Sequence, residues 1–179
     1  MAEIKKLASK VVYKNKWMTV REDEIQRVSG AKSIYGVVDK SNFVVIIPVE
    51  NGRIHLVEQY RYPVGGRYWE FPQGSWEEKP NADPKDVALG ELREETGHIA
   101  NNIEHIGFLY QGYGYSSQGY HIYFATDFTK SEMELDEEEE GLITASFSIQ
   151  EFEDMLLNGQ IKDATTAAAY GLAKLKGFV

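Results

Sequence analysis

The chain has 179 residues, enough for one well-buried core, and a formal net charge of −9, which argues against an electrostatic grip on nucleic-acid backbones or anionic membranes. It has no cysteine, so disulfides, thiolate metal sites and cysteine nucleophiles are excluded. The opening MAEIKKLASK lacks the apolar run of a signal peptide and no later segment has the length to span a bilayer, so a cytoplasmic protein is expected, with neither nucleic acid nor membrane as partner.

In chain order, residues 11–40 alternate and turn, with a Ser29-Gly30 break, which predicts two or three antiparallel strands. The apolar run FVVIIPV at 43–49 suits a central strand, and Asn51-Gly52 supplies a hairpin turn into RIHLVEQYRY. Asp83 followed by Pro84 starts a helix, because the carboxylate can cap free N–H groups and proline at the first helical position loses no hydrogen bond. Gly97 ends it. IEHIGFLYQGYGYSSQGYHIYFATDF then reads as two strands joined by a loop of glycine, serine and tyrosine. Residues 131–140 carry seven acids and no base, the pattern of a solvated loop. LITASFS follows as a strand, Ser148 and Glu151 form a capping box for the next helix, and Asp163 caps the last one, ATTAAAYGLAKLK. His55, His98, His105 and His121 show no ligand spacing and read as structural.

The helix after Asp83 carries the chemistry. Glu91, Glu94 and Glu95 stand at i, i+3 and i+4, side by side on one face, while Ala88, Leu89 and Leu92 take the neighbouring face and can pack on a core. Like charges at this spacing repel, so the arrangement destabilises the helix unless a cation sits among them. Magnesium and manganese choose carboxylate oxygen and water, which makes one of them the expected cofactor, Mg2+ first and Mn2+ second. The plain alternative is a solvated acidic face.

Glu91-Leu92-Arg93-Glu94-Glu95-Thr96-Gly97 matches the E-U-x-E-E-x-G portion of the Nudix signature, G-x5-E-x7-R-E-U-x-E-E-x-G-U, and the chain resembles that hydrolase family. The upstream half departs from the pattern. Gly74 lies two residues too far upstream, Gly90 stands where the signature has arginine, and counting from Gly74 to the signature's earlier glutamate reaches Pro80. In the family that glutamate and arginine brace the loop against the helix; Glu77, Glu78 or Asp83 are the candidates to replace them here. The segment EQYRYPVGGRYWEFPQG is similar to the stretch before the signature in the ADP-ribose and nucleoside-diphosphate-sugar pyrophosphatase branch.

The resemblance implies a Nudix α/β/α sandwich with a mixed sheet over residues 41–179, preceded by an antiparallel β element over 1–40 that is exchanged across a homodimer. It implies Glu91 and Glu95 as main metal ligands, Glu94 as a further ligand with a catalytic part, and the backbone carbonyl of Gln73 as another donor. Aligning the helix that starts at Ser148 places Glu140, rather than Glu139, at the position of the base that activates water. Arg61 matches an arginine that meets substrate phosphates, and Trp17 and Tyr35 match positions that hold adenine between rings from the two subunits, although core packing is the ordinary role of such residues on strands. Tyr113 stands where ADP-ribose-specific members place proline, which instead resembles diadenosine polyphosphate hydrolases. The implied reaction is hydrolysis of the diphosphate of a nucleotide sugar to a nucleoside monophosphate and a sugar phosphate. The alternatives are a dinucleoside polyphosphate hydrolase and a non-catalytic nucleotide-sugar sensor, the latter suggested by Gly90.

Overall fold

A computed structural model describes residues 3–76, 79 and 81–179; Glu77, Glu78 and Pro80 lie outside the described residues. The N-terminal strands β1 (Ile4–Lys14), β2 (Thr19–Arg27) and β3 (Lys32–Asp39) form an antiparallel meander of their own. Strand β1 begins well before the alternation visible in the sequence. Register shifts between Lys6 and Ala8 and between Val11 and Tyr13 interrupt the two-residue period from which a strand is read.

The second sheet is mixed. It comprises β4 (Phe43–Glu50), β5 (Arg53–Arg61), β8 (His98–Tyr110), β9 (Gly119–Lys130) and β10 (Ile143–Ser148) in the order β10-β5-β4-β9-β8. Two short strands, β6 (Gly66–Glu70) and β7 (Gln73–Gly74), add to β5 and β4. Strands β4 and β9 run parallel at the centre, with Phe43 opposite Tyr120 and Ile47 opposite Phe124. Successive side chains of a strand face opposite sides, so the unbroken apolar run of β4 serves two cores at once. Val44 and Ile46 pack under α1 (Pro84–Thr96) with Val87, Ala88 and Leu92. Val45 and Ile47 pack with Phe152 and Met155 of α2 (Ile149–Leu157) and with Ala169, Tyr170 and Ala173 of α3 (Ala164–Leu175). The result is the expected α/β/α sandwich.

The helix boundaries follow the capping chemistry. Asp83 accepts from Lys85 N at 2.9 Å, the Ser148 hydroxyl and Glu151 cap each other's backbone N–H groups, and Asp163 accepts from Thr166 N at 2.7 Å. Among the described residues no helix is long and apolar enough to cross a membrane.

Candidate active site

Helix α1 is turned by its apolar stripe. Burying Val87, Ala88 and Leu92 against β4 carries Glu91 and Glu95, one turn apart, inward beneath β7, where they are 7% and 1% exposed. Glu94 stays half-buried beside Arg93. The backbone of β7 comes very close to this pair: a Cβ on Gly74 would stand 2.3 Å from Glu91 Oε2, so any other residue would displace the Glu91 carboxylate. Next to it, Gln73 N donates to Glu95 Oε2 at 3.0 Å.

A third carboxylate arrives from the acidic loop. Residues Glu137–Glu139 form a 3-10 turn, and the Glu139 carboxylate accepts from Asp136 N at 2.9 Å. One ligand oxygen from each of Glu91, Glu95 and Glu139 falls within 4.8 Å of the other two. Glu140, the residue placed here by alignment, is exposed just after the turn and is not one of the three. The tight turn selects its third residue, which counting along an all-acid run does not reveal.

The electrostatics of this cluster are those of a site built around positive charge. Burial, followed by the charges of Glu91, Glu139 and Glu70, pushes the Glu95 carboxyl well above the usual glutamate range, with the Gln73 N–H opposing. Burial also raises Glu139, and the charge of Glu94 adds to this. A buried carboxylate needs a cation or a proton, and oxygen-only donors at this spacing suit a hard divalent ion. The residues present therefore fit the metal that the resemblance implies.

Beside the cluster opens a cleft of about 520 Å³, in the range of small-molecule sites, lined in part by Lys40, Arg61, Glu70, Gln73, Gly74 and Lys162. The Arg61 guanidinium grips Glu70 with both faces of its fork, Nη2 at 2.5 Å and Nε at 3.3 Å. Burial pushes the Glu70 carboxyl up while Arg61 opposes the rise. The Gln73 side-chain amide links Glu70 to Asp163 at 3.1 and 3.4 Å, and the Thr166 hydroxyl donates to Asp163 while accepting from Phe71 N. Arg61 is thus held by a network that reaches the start of α3. The sequence marks Asp163 only as a helix cap and does not mark Lys40, Glu70 or Lys162; the lone acid in the aromatic run YWEF is the available signal for Glu70.

The other sequence-derived positions lie away from this cleft in the single chain. Trp17 is 41% exposed in the turn between β1 and β2, with Lys16 Nζ 4.2 Å above its ring. The Tyr35 hydroxyl donates to the Gly114 carbonyl at 2.7 Å. Tyr113 is 85% exposed and borders a separate groove with Tyr110 and Tyr120, which adjoins the cleft through Gln111 and Asp163. Trp17 and Tyr35 are not core residues here, and His121 and His105 contact each other across β9 and β8, His121 Nδ1 to His105 Nε2 at 3.1 Å.

A family profile described as NUDIX domain matches residues 39–170. The chain belongs to the Nudix family. A second profile, described as nucleoside diphosphate sugar hydrolase N-terminal domain, matches residues 4–38. This Nudix hydrolase is 26% identical to an ADP-ribose pyrophosphatase of Bacillus subtilis (strain 168), over 97% of this chain and 94% of that one. It is 27% identical to an ADP-ribose pyrophosphatase of Mycobacterium tuberculosis (strain ATCC 25618 / H37Rv), over 90% and 79%, and 29% identical to a methanol dehydrogenase activator of Bacillus methanolicus, over 76% and 75%. The Nudix fold itself superimposes on a crystal structure of an ADP compounds hydrolase with a TM-score of 0.86 at 21% identity, covering 100% of this chain and 98% of the other. Nudix hydrolases generally use divalent metals, in keeping with the carboxylate cluster.

Proposed function

We propose that this Nudix hydrolase is a magnesium-dependent pyrophosphatase of nucleoside diphosphate sugars, ADP-ribose among them. The convergence of Glu91, Glu95 and Glu139 beside a cleft that holds Arg61 carries the reading. The similarity to two ADP-ribose pyrophosphatases over most of the chain supports the substrate class. Water attacks one phosphorus, the bond from that phosphorus to the bridging oxygen breaks, and a nucleoside monophosphate and a sugar phosphate leave.

Glu91, Glu95 and Glu139, with Glu94 and the Gln73 carbonyl as further donors, would hold a divalent cation, which would supply neutralisation of phosphoryl charge and a more acidic water. Glu139 is the loop carboxylate positioned to take the proton from the attacking water, because the 3-10 turn brings it from the acidic loop to the α1 pair. Arg61, fixed by Glu70, presents a planar cation to the substrate's phosphates, with Lys40 and Lys162 as further positive charge in the cleft. Walls of the cleft and the network around Gln73 orient the diphosphate for in-line attack.

The N-terminal sheet supports a homodimer. Strand β1 is exposed along its whole length although it carries Ile4, Leu7, Val11, Val12 and Tyr13, an apolar content suited to a second copy of the chain, and such a copy would bring further aromatic rings to Trp17 and Tyr35. Replacing Val11 and Val12 by aspartate should yield a monomer by light scattering; a dimer that survives would place the interface elsewhere. Product analysis with magnesium tests the reaction, using ADP-ribose, GDP-mannose, UDP-glucose, a dinucleoside polyphosphate and a nucleoside triphosphate. Release of a nucleoside monophosphate from the sugar substrates is expected. Cleavage of the polyphosphate alone would favour the second reading, which the exposed Tyr113 beside the adjoining groove supports.

A further inference from the structure

Glycine is among the least favourable residues inside a helix, yet Gly90 occupies the middle of α1, one residue before Glu91. The neighbouring Trp76 explains its presence. A Cβ on Gly90 would stand 2.3 Å from Trp76 Cζ2 and 3.1 Å from Cη2, so the edge of the indole lies directly on the helix backbone. No other residue leaves that notch open. The arginine of the family signature would occupy the space now filled by the ring.

Trp76 is held there from two sides. Its ring packs on the cluster of Val44, Ile46, Val87, Ala88 and Leu92, and Lys79 Nζ sits 4.8 Å over it, with Lys79 N donating to the Trp76 carbonyl at 2.9 Å. Two residues upstream, the same stretch of backbone lays Gly74 on the Glu91 carboxylate and directs Gln73 N to Glu95. The ring is therefore an anchor immediately downstream of the backbone that touches both acids.

We propose that Trp76, seated in the notch left by Gly90, is a positioning residue that holds the Gln73–Gly74 backbone against Glu95 and Glu91. The proposal rests on the reading of these acids as metal ligands only for its effect on activity; the mechanical coupling stands on geometry. An indole wedged on a helix backbone does by packing what an ion pair between loop and helix would do by charge. It also makes the fit sensitive to one methyl group on α1.

The test is a reversal of sign. With Trp76 in place, Gly90→Ala should lower Tm by about 2–4 °C, whereas in a Trp76→Ala background the same change should raise Tm, because alanine is the better helix former once the ring is gone. Amide hydrogen exchange at Gln73 should accelerate about tenfold or more in Gly90→Ala and in Trp76→Ala, with protection of β4 and β9 retained, and Trp76→Phe should restore most of it. Mn2+ affinity of both single variants should fall about tenfold, as for other groups that orient metal ligands. A rise in Tm on Gly90→Ala with Trp76 present, or unchanged Gln73 exchange in Trp76→Ala, would overturn the proposal. Should Trp76→Ala fail to fold, Trp76→Phe and Gly90→Ala still report exchange at Gln73 and decide the matter. If the wild-type chain binds no Mn2+, the metal assignment fails while the Gln73 exchange still decides the positioning role.

Discussion

Two stretches of this chain cluster acids and place them in opposite environments. On α1, Glu91 and Glu95 are drawn under a strand by the apolar stripe of Val87, Ala88 and Leu92, and their carboxylates lose almost all contact with water. In residues 131–140 the acids stay exposed except for Glu139, which a single 3-10 turn partly buries. The difference shows that acidity alone does not make a site. A carboxylate joins the cluster where an apolar neighbour or a turn draws it out of solvent, and among the loop acids that is Glu139.

Substitutions that separate the two stretches follow in order of size. Glu95→Gln should lower kcat about 10³-fold, the equivalent of several kcal/mol of charge stabilisation, while the fold remains; steady-state kinetics with near-normal turnover would remove Glu95 from the metal site. Glu139→Gln should lower kcat about 10²-fold with substrate still bound, whereas Glu140→Gln, one residue along, should change it by less than about twofold. Equal effects at the two positions would erase the distinction between the turn and the loop around it.

A smaller effect concerns stability without metal. The folded chain raises the Glu95 pKa above its unfolded value, so the stability it contributes is present below the ordinary glutamate range and is lost as pH rises through the raised value. Glutamine stays neutral and keeps an oxygen for Gln73 N–H. Metal-free Glu95→Gln should therefore melt higher than wild type at pH 8, with the gap narrowing toward pH 4, as measured by thermal scans in chelator. Adding a divalent cation should reverse the order by stabilising the wild type more.

Most of the fold was legible because its signals are local. Asp83-Pro84, Ser148 with Glu151, and Asp163 each mark a helix start through hydrogen bonds that span two or three residues, and the run at 43–49 announces a strand buried on both faces. The three glutamates of α1 were legible for the same reason, although the sequence could not say that Glu94 would stay outside the converging trio. Glu139 was not separable from Glu140, since the choice depends on the turn made by Asp136. The contact of Trp76 with Gly90 joins positions fourteen residues apart across a two-residue insertion, and no periodicity encodes it. Arg61 was legible as a cation, but its partner Glu70 needed the hairpin of β5 and β6 to be seen.

Strand β4 carries a consequence beyond packing. Its odd and even residues address opposite faces, α1 with the acids on one and α3 with the far wall of the cleft on the other. A slip of one residue would exchange the two faces and part the acids from the cleft. Activity is therefore an all-or-none report on the integrity of the whole domain. Turnover measured through a urea titration should fall along the same curve as the fluorescence of its tryptophans, with no intermediate that is half folded and still working.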